Sequence, residues 1–396
     1  MPRDITLFTD NKDCCGCGAC CNICPKKAIT MSEDKYGFIY PEIDRSKCIG
    51  CGLCMKACGF QNSQVTNEPM KAFAASAKSD KIIKKSASGG AFAAIASNIL
   101  DEGGAVFGAA FDGDHNVYHT GVDRKEKLSL LQGSKYVQSN TANTYKQVRD
   151  LMNNGKKVLY SGTPCQIAGL YGFLGRDYDR LITVDLICHG VPNQKMFRDY
   201  IKSLGIVKKF SFRDKSIGWG INGSAIIEKN GSDKKIKLWQ SASAYLYYFS
   251  QGEIYRESCY SCKYACSHRP ADITLGDYWG IEKQHPEYLG KEGFDESKGI
   301  SVVIANTEKG LKTLNECSNT MHMLDSEFSK AAAGNTQLRK PSSHSQKRSE
   351  LLELYADKGW NAVEERYKKN IGVRKYSSQV KSLIPKGVKK YLKRMK

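Results

Sequence analysis

The order of apolar and polar positions after residue 70 predicts a mixed α/β protein. Short apolar runs at 71–77, 103–110 and 181–188 have the length of buried strands. They alternate with stretches in which apolar residues recur every three or four positions, and residues at that spacing share one face of a helix. Alternating strands and helices favour a sheet covered by helices. Further strands are predicted at 117–122 and 157–160, and helices at 91–100, 141–154, 164–174 and 193–204.

The first 60 residues follow a different pattern. They contain little regular periodicity beyond 35–41, which alternates as a short hairpin does. A polar stretch at 61–69 then reads as a linker, so we place the start of the larger domain near residue 70.

Composition describes a globular chain with reduced thiols. Hydrophobic residues make up 41% of the 396 positions, and no apolar run reaches the roughly 18 residues that a membrane-spanning helix needs. The N-terminus lacks the basic and then apolar layout of a secretory signal, so we expect a cytoplasmic protein without disulfides.

The positive charge is concentrated at the C-terminus. The net charge is +19, and the last 31 residues contain twelve Lys and Arg and no acid. Apolar residues between 380 and 395 recur at three- and four-residue steps among the lysines, as in a helix that lies on an anionic membrane at the inner face. A solvated basic tail is the alternative. Few aromatic residues interleave with the charges, which disfavours nucleic acid as a partner.

Cysteine spacing is the strongest signal in the sequence. Ten of the 16 cysteines precede residue 60, and two runs repeat the pattern C-x2-C-x2-C-x3-C at an offset of 34 residues. This pattern is typical of a ferredoxin module with two 4Fe-4S clusters, in which the fourth cysteine of each run binds the other cluster. A zinc site binds four ligands and does not require this crossed pattern of cysteines. The two predicted ligand sets are Cys14, Cys17, Cys20 and Cys58, and Cys48, Cys51, Cys54 and Cys24.

Two details depart from this pattern. Cys58 is followed by Gly59 where proline is usual, and Cys15 and Cys21 are surplus thiols beside the ligands. We interpret the surplus thiols as packing residues.

Several turns of the larger domain are suited to an anion or a flat ring. Ser86, Ser88, Gly89 and Gly90 precede a predicted helix, whose free N-terminal amides favour a phosphate. Simple helix capping explains the same residues. The turns at 132–138 and 162–166 resemble ligand sites at the carboxyl ends of strands.

The later cysteines allow two interpretations. Cys165 and Cys188 follow predicted strands, so they and the thiols near 260 can meet at one sheet edge. Alternatively, Cys259, Cys262, Cys266 and His268 bind zinc. Spacing alone does not decide between them.

Together these motifs resemble one family. Ser-x-Ser-Gly-Gly (86–90), Gln-Gly-Ser-Lys-Tyr-Val-Gln (132–138), Gly-Thr-Pro-Cys-Gln (162–166), Asp-x-x-Cys-His-Gly (185–190), Cys-x-x-Cys (259–262) and Ala-Asp-Ile-x-x-Gly-Asp-x-Trp-Gly (271–280) look like the beta subunit of coenzyme F-420 hydrogenase/dehydrogenase. The family includes deazaflavin-reducing subunits, 7-hydroxymethyl chlorophyll a reductases and many bacterial relatives among polysaccharide-synthesis genes. The resemblance implies FAD and at least one 4Fe-4S cluster in the larger domain.

Carried over to this chain, the resemblance implies individual roles. A third 4Fe-4S cluster is assigned to Cys165, Cys188, Cys259 and Cys262, with Cys266 competing with Cys165. His189 is either a donor of a proton or hydrogen bond beside the flavin or a structural histidine. Cys317 lies outside the motifs and is interpreted as a buried spectator. The implied FAD contacts are Ser86, Ser88, Gly89, Gly90, Gln132, Gly133, Ser134, Lys135, Tyr136, Gln138 and Thr163.

The resulting hypothesis is an iron–sulfur flavoprotein oxidoreductase with an α/β flavin-binding core. A low-potential donor such as ferredoxin supplies single electrons, and FAD exchanges hydride with an organic acceptor. The alternatives are an electron-transfer subunit that needs a partner oxidoreductase, and an accessory protein of polysaccharide biosynthesis. The predicted domains are a dicluster ferredoxin-like domain (1–65), the N-terminal part of the family domain (70–155), its C-terminal part with FAD and the third cluster (156–325), and a helical basic tail (326–396).

Overall fold

The structure, a computed structural model, describes residues 4–62 and 66–384. Its strands form a two-stranded hairpin, a three-stranded antiparallel sheet and an eight-stranded mixed sheet. The strands are β1 (Ile29–Glu33), β2 (Ile39–Ile43), β3 (Lys71–Ala77), β4 (Ala105–Phe111), β5 (Val117–Val122), β6 (Val158–Gly162), β7 (Leu181–Leu186), β8 (Ile206–Ser211), β9 (Gly223–Lys229), β10 (Ser232–Leu238), β11 (Ile273–Asp277), β12 (Ser301–Ala305) and β13 (Met321–Ser326).

Helices pack on both faces of the large sheet. The predicted helix at 164–174 is found with those bounds, and the other predicted helices agree within a few residues. The helices are α1 (Ala19–Ile23), α2 (Leu53–Lys56), α3 (Asp80–Lys85), α4 (Ala91–Asp101), α5 (Thr144–Asn153), α6 (Pro164–Leu174), α7 (Gln194–Ser203), α8 (Ala244–Gln251), α9 (Ile281–Gln284), α10 (Glu308–Glu316), α11 (Phe328–Ala333), α12 (Gln346–Ile371) and α13 (Ser377–Leu383). The predicted mixed α/β class is confirmed.

The eight-stranded sheet has the order β13-β3-β12-β11-β7-β6-β4-β5. Its four central neighbours, β11, β7, β6 and β4, run parallel, and the outer strands are antiparallel to their neighbours. The carboxyl ends of β6, β7 and β11 therefore share one edge, where ligands of open α/β sheets commonly bind. The sheet takes strands from both sides of residue 155, and the predicted boundary there stays a prediction.

The N-terminal module repeats one local structure. Gly18 and Gly52 stand immediately before the short helices α1 and α2, and both adopt a left-handed conformation with φ of 75°. The hairpin β1–β2 joins the two halves and contains the predicted turn. The two cysteine runs thus have matching backbone geometry.

The module packs directly on α6. A Cβ added to Gly169 would lie 2.7 Å from Cys17 Sγ, and one added to Gly172 would lie 2.3 Å from the Ala57 carbonyl oxygen. Real Cβ atoms do not approach this closely, so these positions require glycine. The hydroxyl of Tyr264 also donates to the Gly59 carbonyl. Close backbone contact therefore joins the module to the larger domain.

The C-terminal helical segment is only partly a tail. Along α12, Leu351, Tyr355, Trp360 and Tyr367 are buried in one core with α7, α8 and the three-stranded sheet. Helical character is predicted by the sequence, but this burial is not. After residue 371, Val373, Tyr376, Val380 and Leu383 are exposed, and residues 385–396 of the predicted amphipathic segment lie outside the described residues. Among the described helices, none has the length and apolar character required to cross a membrane.

Candidate iron–sulfur and flavin sites

One crossed set of cysteines lines a single cavity. Cys24 of the first run lies in this cavity with Cys48, Cys51 and Cys54 of the second run. Ile5, Ile29, Ile43 and Ile49 complete much of its wall, so the thiols face an apolar space. The Ala28 amide donates to Cys24 Sγ at 3.3 Å. The cavity therefore has the donor set and apolar lining that suit a 4Fe-4S cluster.

The other crossed set is assembled beside it. The Cys17 thiol lies within electrostatic reach of Cys14, Cys20 and Cys58. Burial raises the pKa of Cys14 to about 11, while the nearby Arg256 guanidinium and the Gly16 amide act in the opposite direction. Hydrogen bonds of this kind, from amides to sulfur, stabilise a thiolate-bound cluster.

A third group of thiols gathers at the edge where β6 and β7 end. Cys165 lies in the first turn of α6, Cys188 follows β7, and Cys259 and Cys262 lie on the segment after α8. The thiol of Cys188 interacts with those of Cys165 and Cys262, and Cys259 interacts with all three. Burial raises the pKa of Cys188 and of Cys262 to about 12. At neutral pH these two thiols therefore stay protonated unless a cation or cluster binds them.

The zinc set expected as an alternative is not assembled. The Cys266 thiol donates to the carbonyl oxygens of Lys263 and His268, each at 3.2 Å. The His268 ring is exposed and its Nε2 lies 3.2 Å from Glu68. Within 4–62 and 66–384, no group of three or more His, Cys, Asp or Glu side chains is arranged to hold a single metal ion. The Cys266 thiol and the His268 ring thus interact with other groups of the chain.

Cys15 connects the module to this third group. Its buried thiol hydrogen-bonds with both Cys17 and Cys165. The hydrogen bond from Cys15 contributes most to lowering the pKa of Cys165 to about 7, against the effect of burial. The surplus thiol therefore contacts both groups, a position that its sequence neighbours do not reveal. Cys317, by contrast, is buried in the core around α4 and donates to Thr313, as expected of a spectator.

A buried ion pair holds the third group of thiols against the sheet. Arg269 donates to Asp185 Oδ1 from Nη2 at 2.9 Å, and the two side chains are 1% and 0% exposed. Arg269 also donates to the carbonyls of Tyr264 and Leu186. Because Asp185 lies near the end of β7, just before Cys188, this pair fixes the 259–266 segment beside that strand.

The serines and glycines of the 86–90 turn have structural roles within the protein. Ser86 donates to the Ile82 carbonyl at 2.8 Å, and Ser88 donates to the Ile300 carbonyl at 2.9 Å. A Cβ on Gly89 would lie 2.4 Å from the Ala75 carbonyl oxygen. Gly90 precedes α4 with φ of 87°. The turn is therefore shaped by close packing against β3 and β12.

The 132–138 turn is divided between two environments. Gln132 donates to Ser86 at 3.2 Å, which brings the two predicted turns together. Burial lowers the pKa of Lys135 to about 7, and its ammonium donates to the carbonyls of Leu130 and Gln132. Gln138 points elsewhere and donates to the carbonyls of Cys15 and Gly16. Its amide is thus used in the contact with the module.

The remaining members of the turn, and Thr163, have visible structural roles. Tyr136 stacks on Phe249 with ring centroids 4.4 Å apart, while Gly133 adopts φ of 81° and Ser134 hydrogen-bonds with Tyr136. Thr163 caps α6 in a reciprocal box with Gln166 and lies 3.2 Å from Cys165 Sγ. Thr163 therefore orients the first turn of the helix that carries Cys165.

A cluster that the sequence motifs did not assign lies beside the 86–90 turn. Arg213 makes a bidentate pair with Asp277 at the end of β11, at 2.5 and 3.0 Å. Lys215 donates to the carbonyl of Ser88 at 2.6 Å, and burial with Arg213 nearby lowers its pKa to about 8. Trp219 stacks on Trp279 with centroids 4.7 Å apart. Asp277 and Trp279 belong to the 271–280 motif. Arg213, Lys215 and Trp219 lie outside it, and the sequence pattern that could have indicated them is Arg-x-Lys followed by Gly-Trp-Gly.

His189 lies near this cluster. Burial lowers its pKa, and the Asp277 carboxylate acts in the opposite direction. Its carbonyl accepts a hydrogen bond from Ser342 at 2.5 Å. His189 is therefore a half-buried imidazole within electrostatic reach of the Asp277 carboxylate.

These cysteine sets are those of an iron–sulfur protein, and they lie on and beside an α/β core. Residues 13–62 match the 4Fe-4S dicluster domain, and residues 155–328 match the family described as the C terminus of the beta subunit of coenzyme F420 hydrogenase/dehydrogenase. The chain thus contains a match to a 4Fe-4S dicluster domain and a match to the C-terminal domain of this family, which confirms the resemblance stated from the motifs.

The chain also has similarity to a solved structure. The chain is similar to a chain of the xenon-derivatised F420-reducing [NiFe] hydrogenase complex from Methanosarcina barkeri, with 18% identity and a TM-score of 0.45. The match covers 76% of this chain and 91% of that chain. None of the curated proteins compared with the chain matches it.

Proposed function

We propose that the chain is an iron–sulfur flavoprotein oxidoreductase with three 4Fe-4S clusters and FAD. It takes single electrons from a low-potential donor such as ferredoxin and delivers them to an organic acceptor. When bound, the clusters supply single-electron transfer and FAD supplies the exchange between one- and two-electron chemistry. The ligands are the two crossed sets of the module and Cys165, Cys188, Cys259 and Cys262.

The contact of Cys15 with both Cys17 and Cys165 carries this proposal. Cys17 also lies against Gly169, one helical turn after Cys165 on α6. Four residues of α-helix advance about 6 Å, so the module's nearer cysteine set and the third set are neighbours. Adjacent groups of buried thiols suit metal centres between which electrons pass.

The chain's cations support a place for an anionic cofactor. Lys135, Arg213 and Lys215 surround the joined turns at 86–90 and 132–136, beside the carboxyl end of β11. We place the FAD pyrophosphate among them, because cations and helix N-termini favour negative charge. With FAD bound, His189 would hold or accept a proton, and the Trp219–Trp279 stack would exclude water from the site.

Metal and flavin analysis of anaerobically purified protein tests the proposal. We expect about twelve irons and about one FAD per chain. A Lys135→Met variant is expected to retain the irons and lose most FAD, while the exposed Lys84→Met control retains both. Eight irons would remove the third cluster, and full FAD retention by Lys135→Met would contradict the placement of the pyrophosphate.

The acceptor is tested on the dithionite-reduced protein. Oxidised coenzyme F-420 is the first acceptor to try, followed by nucleotide-sugars and lipid-linked sugars, which would indicate polysaccharide biosynthesis. Nicotinamides are expected to fail, since the G-x-G-x-x-G run at 218–223 leads into strand β9 and does not open a helix, as the dinucleotide-binding turn does. Rapid oxidation of NAD(P)H by the isolated chain would contradict that expectation.

A second candidate is an electron-transfer beta subunit of a larger hydrogenase or dehydrogenase complex that reduces coenzyme F-420. The matched family, named for beta subunits, favours it. Reduced protein that stays reduced with every small molecule, yet is oxidised when a purified partner oxidoreductase is added, would support this candidate over the first.

We also propose that the C-terminal segment binds an anionic membrane surface. Val373, Tyr376, Val380 and Leu383 expose apolar side chains among basic residues. Removing residues 377–396 should weaken binding to vesicles that contain anionic lipid and leave iron content unchanged, with an effect of about 1 kcal/mol per basic residue near the surface. Full-length protein that ignores such vesicles at low salt would refute this proposal.

A further inference from the structure

Arg256 is a fully buried cation between the module and the third group of thiols. It is 0% exposed. Nε donates to the Cys14 carbonyl at 2.7 Å, and Nη1 donates to Gln138 Oε1 at 3.2 Å. The guanidinium lies 4.0 Å from the ring centroid of Tyr40. Arg256 thus originates on the segment of Cys259 and reaches into the ferredoxin module.

The charge of Arg256 has no carboxylate partner among the described residues. The other deeply buried arginines are each paired, Arg213 with Asp277, Arg269 with Asp185 and Arg348 with Glu257. In contrast, Arg256 makes no ion pair within the described part of the chain, and its Nη2 has no hydrogen-bond acceptor there. A buried charge is costly unless it is paired. The protein portion alone therefore leaves this cation uncompensated.

The missing negative charge lies on the two cysteine sets that flank Arg256. Its positive charge acts on the thiols of both Cys14 and Cys165. Cys14 belongs to the nearer set of the dicluster domain, and Cys165 belongs to the proposed third set. A cluster held by four thiolates carries net negative charge, so either set supplies the counter-ion once it is loaded.

We infer that Arg256 is the shared electrostatic partner of these two iron–sulfur centres and that it raises their reduction potentials. The part that concerns Cys165 rests on the proposed function; the part that concerns Cys14 rests on the dicluster domain alone. Reduction adds one electron and one negative charge to a centre, so a fixed cation stabilises the reduced form more than the oxidised form. Since the guanidinium is enclosed, salt screens this effect little.

The test compares three variants of the full chain in anaerobic redox titrations followed by electron paramagnetic resonance. Arg256→Gln keeps a donor for the Cys14 carbonyl and removes the charge, whereas Arg256→Lys keeps the charge. Arg348→Gln is the matched control, because Arg348 is buried but paired with Glu257. Dithionite is the reductant, and iron content is measured for each sample.

With full iron content, Arg256→Gln should decrease the reduced-to-oxidised ratio at least tenfold at the wild-type midpoint. That is a shift of about 59 mV for a one-electron couple. Arg256→Lys and Arg348→Gln should stay near the wild type. Unchanged potentials in iron-replete Arg256→Gln would overturn the inference.

Loss of iron is also decisive. If Arg256→Gln loses iron and Arg256→Lys keeps it, the centres require the charge, which supports the inference. If both variants lose iron and Arg348→Gln does not, the shape of the guanidinium matters more than its charge, and the inference fails. A wild type with eight irons would refute the proposed third cluster, but the shift in the signals of the dicluster domain would still test Arg256.

Discussion

Replacing Asp185 by Asn should destabilise the protein and disturb the third group of thiols. The substitution preserves the size of the side chain but removes the carboxylate that pairs with Arg269. Both side chains are almost completely enclosed, at 0% and 1% exposed, so water cannot replace the lost partner. Arg269 would then remain buried with a positive charge and only neutral acceptors, namely the amide oxygen of the new side chain and the carbonyls of Tyr264 and Leu186.

The expected loss in the free energy of unfolding is about 3 kcal/mol or more, because breaking one partner of a buried ion pair typically costs ~3–5 kcal/mol. The exposed Asp80–Lys298 pair, at 68% and 50% exposed, provides the contrast. Asp80→Asn should cost less than about 1 kcal/mol, since surface ion pairs contribute little. A double variant, Asp185→Leu with Arg269→Met, should regain part of the loss because no buried charge is left without a partner.

Anaerobic urea unfolding followed by circular dichroism measures these differences from the midpoint and slope of each transition. Iron analysis of the same samples reports the third site, and Asp185→Asn should fall toward eight irons per chain, roughly one 4Fe-4S cluster fewer. A loss below about 1 kcal/mol with an unchanged slope and full iron content would show that the pair does not hold the 259–266 segment.

Three further predictions concern the sites and their packing. Cys262→Ser should reduce the iron content by about four per chain and Cys266→Ser should not, as measured by metal analysis; equal losses would contradict the ligand assignment. FAD affinity, measured by flavin fluorescence, should weaken as pH rises through about 7, where Lys135 loses its proton, and Lys135→Met should flatten the profile; an unchanged wild-type slope in the variant would refute this. Gly169→Val should destabilise the chain by about 1–3 kcal/mol and release iron, whereas Gly113→Ala, which meets open space, should be neutral in urea unfolding.

Local sequence determined the parts of the molecule that could be predicted. The two cysteine runs specify their own turns, because Gly18 and Gly52 repeat one left-handed conformation at equivalent positions. The strand at 71–77 is a predominantly apolar run and is found with those bounds. The meeting of Cys165 and Cys188 near the ends of β6 and β7 could be predicted because parallel strands place their carboxyl ends at one edge of the sheet.

Long-range contacts account for what the sequence did not reveal. Arg256 and Gln138 are 118 residues apart, and neither has a local pattern that indicates a contact with the module. Lys215 resembles any surface lysine until its loop packs on Ser88. Trp360 and Tyr367 lie in a segment rich in basic residues, so composition predicted a tail where tertiary packing forms a core.

The close contact of Gly169 and Gly172 on α6 with the module sets the spacing of two of the proposed redox sites. The first turn of this helix carries Cys165, and the next turn touches Cys17. The distance between the cysteine set of Cys17 and that of Cys165 is therefore set by the helix α6 and not by the polar connection at 61–69. Lengthening that connection should leave the separation intact. One residue inserted between Cys165 and Gly169 would instead rotate the thiol and the contact face by about 100° relative to each other.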